Sequence, residues 1–168
     1  MEESQEYQEQ DNDLEDEDDD SQKDKYLAFH LAGEDYGIDI ANVTEIIGIQ
    51  KINEVPDMPD YIKGVINLRG KVIPVMDVRA RFRLKAREYD ERTCIIVVDI
   101  NGTSIGLVVD EVSEVVDIPG CDIELPPTMR KGAGGSYLKG MGKIGDAVKI
   151  LLDVEKILIA EKLEASTA

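Results

Sequence analysis

A chain of 168 residues with 36 acidic against 19 basic side chains, net −17, is long enough for one ordinary domain or two small lobes. The acidic balance argues against nucleic acid, whose phosphates need a basic field. No run of about 18 apolar residues exists to span a membrane, and no basic and apolar signal pattern opens the chain, so a cytoplasmic location is expected.

Residues 1–25 hold 13 acidic and 2 basic side chains, leaving net −6 for the remainder. Such a tail cannot bury enough surface to offset chain entropy and is expected to be disordered. It reads as a solubilising segment, or as one that folds back on the basic stretch Arg79, Arg81, Arg83, Lys85, Arg87.

Leu27, Phe29 and Leu31, then Tyr36, Ile38 and Ile40, alternate about Gly33-Glu34-Asp35 and predict a hairpin with one buried face. The only histidine, His30, falls on the outward face. A β-branched run from Val43 to Ile49 is a third strand, broken by Val55-Pro56-Asp57-Met58-Pro59. Val65–Leu68 and Val72–Met76 flank a tight Arg69-Gly70 turn, with Gly70 as the φ > 0 residue. Pro74 has no N–H to donate and is expected at an edge or bulge. A short helix is predicted over Val78–Phe82.

The same plan then recurs. Residues 26–49 align without a gap on 95–118, an offset of 69, and residues 61–78 align on 137–154, an offset of 76. The seven extra residues fit between Pro119 and Ser136, where Pro126-Pro127 and Gly132, Gly134 and Gly135 read as a long loop. Second-copy strands are predicted over Cys94–Ile100, Ser104–Val109, Val112–Ile118, Tyr137–Lys143 and Ala147–Leu152. Asp153 is placed as the N-cap of a closing helix that runs to about Glu164.

Five short strands per copy are about what a small closed barrel uses, and closure removes aggregation-prone edges. The predicted fold is all-β: two barrels side by side, lobe 1 about 26–90, lobe 2 about 91–152, then the helix. Lobes that small are marginal alone, so an interface between them is expected.

Catalytic chemistry finds little footing. His30 has no nucleophile or carboxylate in local register, and Asp110-Glu111 point to opposite faces if extended, reading as a solvated turn. Cys94 and Cys121 show no metal-ligand or redox spacing. Gly140-Met-Gly142-Lys-Ile-Gly145 matches the dinucleotide fingerprint formally, but a strand follows it where a helix N-terminus is required. No cofactor, metal or catalytic residue is assigned. On composition the basic stretch Arg79–Arg87 reads either as an interaction surface or as a solvated helix and linker. Arg69 is held out at a hairpin tip, with Glu45 on the nearby third strand as a possible partner.

The segments Tyr36–Ile40, Val43–Gly48, Tyr61–Gly70, Ile73–Asp77, Ile105–Asp110 and Tyr137–Gly142, in this order over about residues 26–160, resemble the CheW-family chemotaxis coupling proteins. Lys63-Gly-Val-Ile-Asn-Leu-Arg-Gly70 is the most specific of the matching runs. The resemblance implies two five-stranded Src-homology-3-like barrels around a shared core and a non-catalytic adaptor, monomeric when isolated. It implies one surface for the CheW-like C-terminal domain of the histidine kinase CheA and a second for the cytoplasmic tip of a methyl-accepting chemoreceptor in membrane-associated arrays. By position, Val43, Glu45, Arg69, Val112 and Val115 fall near the receptor groove, and Lys63, Gly64 and Val72 near the kinase face. A small-barrel nucleic-acid-binding module is the alternative, disfavoured by net charge and few aromatics.

Overall fold

The computed structural model describes residues 22–125 and 137–158. The described residues form eleven strands: β1 Lys25–Leu31, β2 Glu34–Asp39, β3 Val43–Gly48, β4 Ile62–Leu68, β5 Lys71–Asp77, β6 Cys94–Ile100, β7 Thr103–Val109, β8 Glu111–Asp117, β9 Ile123–Glu124, β10 Leu138–Ile144 and β11 Ala147–Leu152. Helix α1 spans Val78–Arg81 after β5, and a second, α2, begins at 154 and is described through 158. Asp153 caps α2 as predicted, accepting from the Lys156 amide at 3.1 Å, and Asp77 caps α1 from the equivalent position. Of the predicted tail 1–25, residues 1–21 lie outside the described residues, as do the loop over 126–136 and the end of α2, while Lys25 is not tail but the first residue of β1.

The strands form two sheets, in the order β8-β1-β2-β11-β10-β9 and β3-β6-β7-β5-β4. The repeat offsets carry one order onto the other, but the sheets do not follow the halves of the chain. The hairpin β1–β2 is built into the sheet of the second half, beside β8 and β11. The hairpin β6–β7 is built into that of the first, beside β3 and β5. The expected division into lobes 26–90 and 91–152 is therefore corrected: each barrel takes strands from both halves. The physical reason is burial. Strands β1 and β6 are covered on both faces, and only a central place in a sheet between two apolar layers provides that.

Three apolar clusters follow. Ile66, Ile73, Val75, Ile95, Val97 and Val108 fill one barrel, and Tyr26, Ile118 and Leu151 the other. The largest cluster lies between the sheets and includes Leu27, Phe29, Leu31, Ile38, Met76, Ile96, Val98 and Leu107. The hairpin β1–β2 thus has two buried faces where one was expected, and its turn is Ala32-Gly33, both with positive φ. Such a pair is what a two-residue hairpin loop between twisted strands requires.

Beyond the ladders, each barrel is drawn closed by a short link. The Asn53 and Val65 backbones exchange two hydrogen bonds of 2.8 Å, and β9 pairs with Met141 and Gly142 of β10 at the equivalent place. Pro74 is not on an edge strand, because β5 lies between β4 and β7. It is tolerated because the ladder to β7 starts one residue later, at Val75, and Val65 opposite directs its hydrogen bonds to Asn53.

Candidate functional site

The β4–β5 hairpin ends in Arg69-Gly70, with φ of 53° and 83°. An arginine in this left-handed conformation projects away from the sheet, and its side chain is 76% exposed. It reaches β3, where its two terminal nitrogens donate to the two Glu45 carboxylate oxygens at 2.8 and 2.9 Å. This bidentate clasp joins the first and last strands of one sheet, and the planar fork fixes the orientation of both side chains.

Exposed aliphatic side chains lie on the outer face of these strands, which alternation places opposite Glu45. Val72 on β5 is 65% exposed, and Ile46, next to Glu45, is 43% exposed. The second copy repeats them: Val148 corresponds to Val72, and Val115, 50% exposed, to Ile46. Val43 and Val112 are half-buried against the shared core, one from each sheet. The expected receptor-facing set thus resolves into a charged clasp, two residues at the core's margin and one exposed valine. Ile46 and Val148 were missed, although shifting Val115 and Val72 by the repeat offsets would have found both.

The expected kinase-facing set does not form one patch of accessible side chains. Lys63 is half-buried beside the β4 bulge and Val72 is the exposed member. Gly64 is buried with φ +142°, and a Cβ there would meet the Asn53 carbonyl oxygen at 2.0 Å. Its physical role is closing the barrel, not offering a contact.

The basic stretch is neither a free cationic surface nor a solvated linker. Arg79 donates to both Asp110 oxygens at 2.7 Å. Arg87 reaches Asp90 at 3.0 Å and Asp110 at 3.4 Å. Arg81 is buried between the rings of Tyr61 and Tyr137, 4.6 and 4.8 Å from their centroids, a favourable placement for a guanidinium over π faces. Arg83 and Lys85 remain exposed.

Asp110 is correspondingly not a solvated turn residue, its side chain being 12% exposed. It also accepts from the Ala32 amide at the tip of the exchanged hairpin, 3.0 Å away. Burial pushes its carboxyl up, but the hydrogen bonds from Arg79 and Ala32 and the charges of Arg79 and Arg87 outweigh this and hold it below its ordinary range. One carboxylate therefore ties together α1, the inter-half linker and the hairpin β1–β2.

His30 is half-buried. Contrary to expectation a carboxylate stands opposite it, Nδ1 lying 2.5 Å from Asp35. Asp35 in turn is held below its ordinary range, first by the Lys149 hydrogen bond and also by the Lys149 and His30 charges. The pair meets an ammonium, not a hydroxyl or thiol, so it has no nucleophile to activate. Around Gly145 the chain runs from β10 directly into β11, without the helix a dinucleotide site needs. Among the described residues no helix is long and apolar enough to cross a membrane, and no group of three or more His, Cys, Asp or Glu is placed to hold a metal.

Residues 25–162 match the family described as a CheW-like domain. A chemotaxis protein CheW of Klebsiella aerogenes is 39% identical over 139 residues, covering 83% of this chain and 84% of the relative. One from Helicobacter pylori is 35% identical over 135 residues, covering 80% and 81%. The crystal structure of the scaffolding protein TtCheW from Thermoanaerobacter tengcongensis superposes with a TM-score of 0.72 at 38% identity, over 77% of this chain and 88% of that one. With both the sequence and the two-sheet fold in agreement, the chain belongs to the CheW-like family of chemotaxis scaffold proteins.

Proposed function

We propose that this chain is a cytoplasmic, non-catalytic adaptor that couples the histidine kinase CheA to methyl-accepting chemoreceptors and is recruited with them to membrane-associated arrays. The observation that carries this reading is the exposed Glu45–Arg69 clasp. A surface ion pair contributes only about 0 to 1 kcal/mol to folding. Its bidentate geometry is better suited to setting the register of a bound protein.

The receptor-facing set is Val43, Glu45 and Arg69 with Val112 and Val115. Aliphatic residues at the margin of the shared core suit the apolar stripe of a helix, with the charged pair at the rim. The kinase-facing set is Lys63 and Val72, with Gly64 shaping the strand beneath them. Two interfaces of ordinary size bury about 1,200 to 2,000 Å² each, and two fused barrels offer that surface where one small barrel does not. Holding both partners raises their effective concentration without any reaction by the scaffold.

Co-precipitation of the full chain with the C-terminal CheW-like domain of a CheA kinase and with a receptor cytoplasmic fragment, singly and together, tests the proposal. Both partners are expected to bind at once. Arg69→Glu is expected to lose the receptor, keep the kinase and keep the fold, because the exposed side chain carries little packing. A folded chain that binds neither partner would overturn the reading.

A further inference from the structure

The two halves of the chain meet by exchange. Hairpin β1–β2 of the first half pairs with β8 and β11 of the second, and hairpin β6–β7 of the second pairs with β3 and β5 of the first. The largest apolar cluster is shared in the same way, holding Leu27, Phe29 and Ile38 from one half with Ile96, Val98 and Leu107 from the other. A half taken alone therefore presents an apolar surface and open strand edges that fit one partner, the complementary half.

The linker makes that partner the same molecule. The halves are joined through residues 83–92, most of them exposed, and ten residues reach roughly 33 to 36 Å when extended. In the closed chain the linker is folded back on both halves. Tyr89 donates to Asp77 at 2.7 Å and Arg79 to the Lys85 carbonyl at 2.6 Å on the first half, and Arg87 reaches Asp110 of the second at 3.4 Å. Opening the linker lets it lead into a second copy, and the residues outside it then keep their native neighbours, supplied by the other chain.

We infer that the chain has a second assembly, a dimer in which the first half of each copy pairs with the second half of the other through the native β1–β8, β2–β11, β3–β6 and β5–β7 ladders. The occupant is a second copy of this chain, because the interface is the one its own core already uses. Exchange of identical elements needs no new contact, so concentration decides between the two forms. A short flexible tether holds the halves at an effective concentration in the mM range, and at micromolar concentration the chain closes on itself. During synthesis the first half emerges before the strands that complete its sheet, which is the interval in which a neighbouring copy competes. Once formed, monomer and dimer interconvert by separating the halves, that is, by unfolding the shared core, so both persist side by side. The dimer carries two Glu45–Arg69 clasps, whatever those bind.

The register supplies the test. Gly48 on β3 lies opposite Cys94 on β6, an added Cβ at Gly48 meets nothing within 4 Å, and Cys94 is a free thiol. Opposed residues of antiparallel strands have Cα atoms about 4.5 to 5.5 Å apart, within disulfide reach. One chain carries Gly48→Cys with Cys94→Ser, the other keeps Cys94, and both carry Cys121→Ser. The two are unfolded in urea, mixed, refolded together at about 1 mM, the scale of the tethered effective concentration, and oxidised. A covalent dimer joining Cys94 of one chain to position 48 of the other is expected. Mixing chains that are already folded should give about tenfold less of it, because the halves separate at the slow rate of unfolding. Absence of the covalent dimer after co-refolding would overturn the proposal, provided a single chain with Gly48→Cys and Cys94 closes the same link within itself. Equal yields from the two mixtures would also overturn it, since they report collision of intact monomers. If the single chain does not close its link, light scattering of the wild-type chain decides. Refolding at about 1 mM should give a dimer that survives dilution to about 10 μM, and refolding at about 10 μM should give monomer. Monomer from both, or a dimer that dissociates at once on dilution, would exclude the exchange.

Discussion

Replacing Gly64 with alanine tests how the first barrel closes. The added Cβ would meet the Asn53 carbonyl oxygen at 2.0 Å, where real contacts stay beyond 3.0 Å, so the two segments must separate by about 1 Å. That movement disrupts the two 2.8 Å hydrogen bonds between Asn53 and Val65, which contribute about 0.5 to 1.5 kcal/mol each. The alanine must also adopt a φ of +142°, at a cost of about 1 to 3 kcal/mol. The sum is about 2 to 6 kcal/mol against a total stability of about 5 to 15 kcal/mol for an ordinary domain. The repeat supplies a comparator. At Gly140 an added Cβ would meet the Ile123 Cγ2 at 2.5 Å and the Glu124 carbonyl oxygen at 3.3 Å, a milder clash with no positive φ, so Gly140→Ala should cost less than Gly64→Ala, about 1 to 3 kcal/mol. Urea unfolding followed by far-ultraviolet circular dichroism measures both. A Gly64→Ala protein within about 0.5 kcal/mol of wild type, or one less affected than Gly140→Ala, would refute the closure argument.

The remaining predictions concern the charge network and the chain's interlacing. Asp110→Asn leaves the nearly buried Arg79 charge uncompensated and should cost about 3 kcal/mol at neutral pH. Because the folded carboxyl of Asp110 is depressed, its contribution is present above the unfolded value of about 3.9 and is lost as pH falls below that and through the folded value. The gap in urea midpoint between wild type and Asp110→Asn should therefore narrow progressively as pH falls below about 4; a gap that stays constant on acidification would contradict this. Arg83 has a φ of 59° at the end of α1, where Leu84 and Arg83 donate to the Arg79 and Ala80 carbonyls in a Schellman motif. Arg83→Gly should raise the midpoint by the equivalent of up to about 1 kcal/mol, and a loss of stability would argue against the motif. Halves 1–90 and 91–168, produced separately, should each be unfolded by circular dichroism, and mixing them should restore the native spectrum, because each supplies a hairpin to the other's sheet.

Much of the site was legible because its signals are local. The Arg69-Gly70 turn announces a cation at a hairpin tip, and the repeat exposes Glu45 and Glu114 as equivalents. Asp110 and Arg81 were misread for the opposite reason. In sequence each is a charged residue beside other charged residues, and nothing local shows that Ala32 and Arg79 converge on Asp110, or that Tyr61 and Tyr137 enclose Arg81. His30 gained its carboxylate through the hairpin register, because a turn at Ala32-Gly33 leaves Asp35, predicted as a turn residue, in the strand opposite it.

By itself the sequence determined what depends on neighbours along the chain: where strands run, where positive φ is needed at the turns, the Asp153 cap, and the existence of two equivalent units. Strands β6 and β11 fall where alternation and turn chemistry place them. Only the tertiary structure decided which strands pair. A hairpin satisfies its own hydrogen bonds wherever it sits, so local chemistry does not say which half will receive it. Burial does, since the near-continuous apolar runs of β1 and β6 need cover on both faces. Exchange of hairpins between the halves provides it, through the parallel pairings of β2 with β11 and β5 with β7.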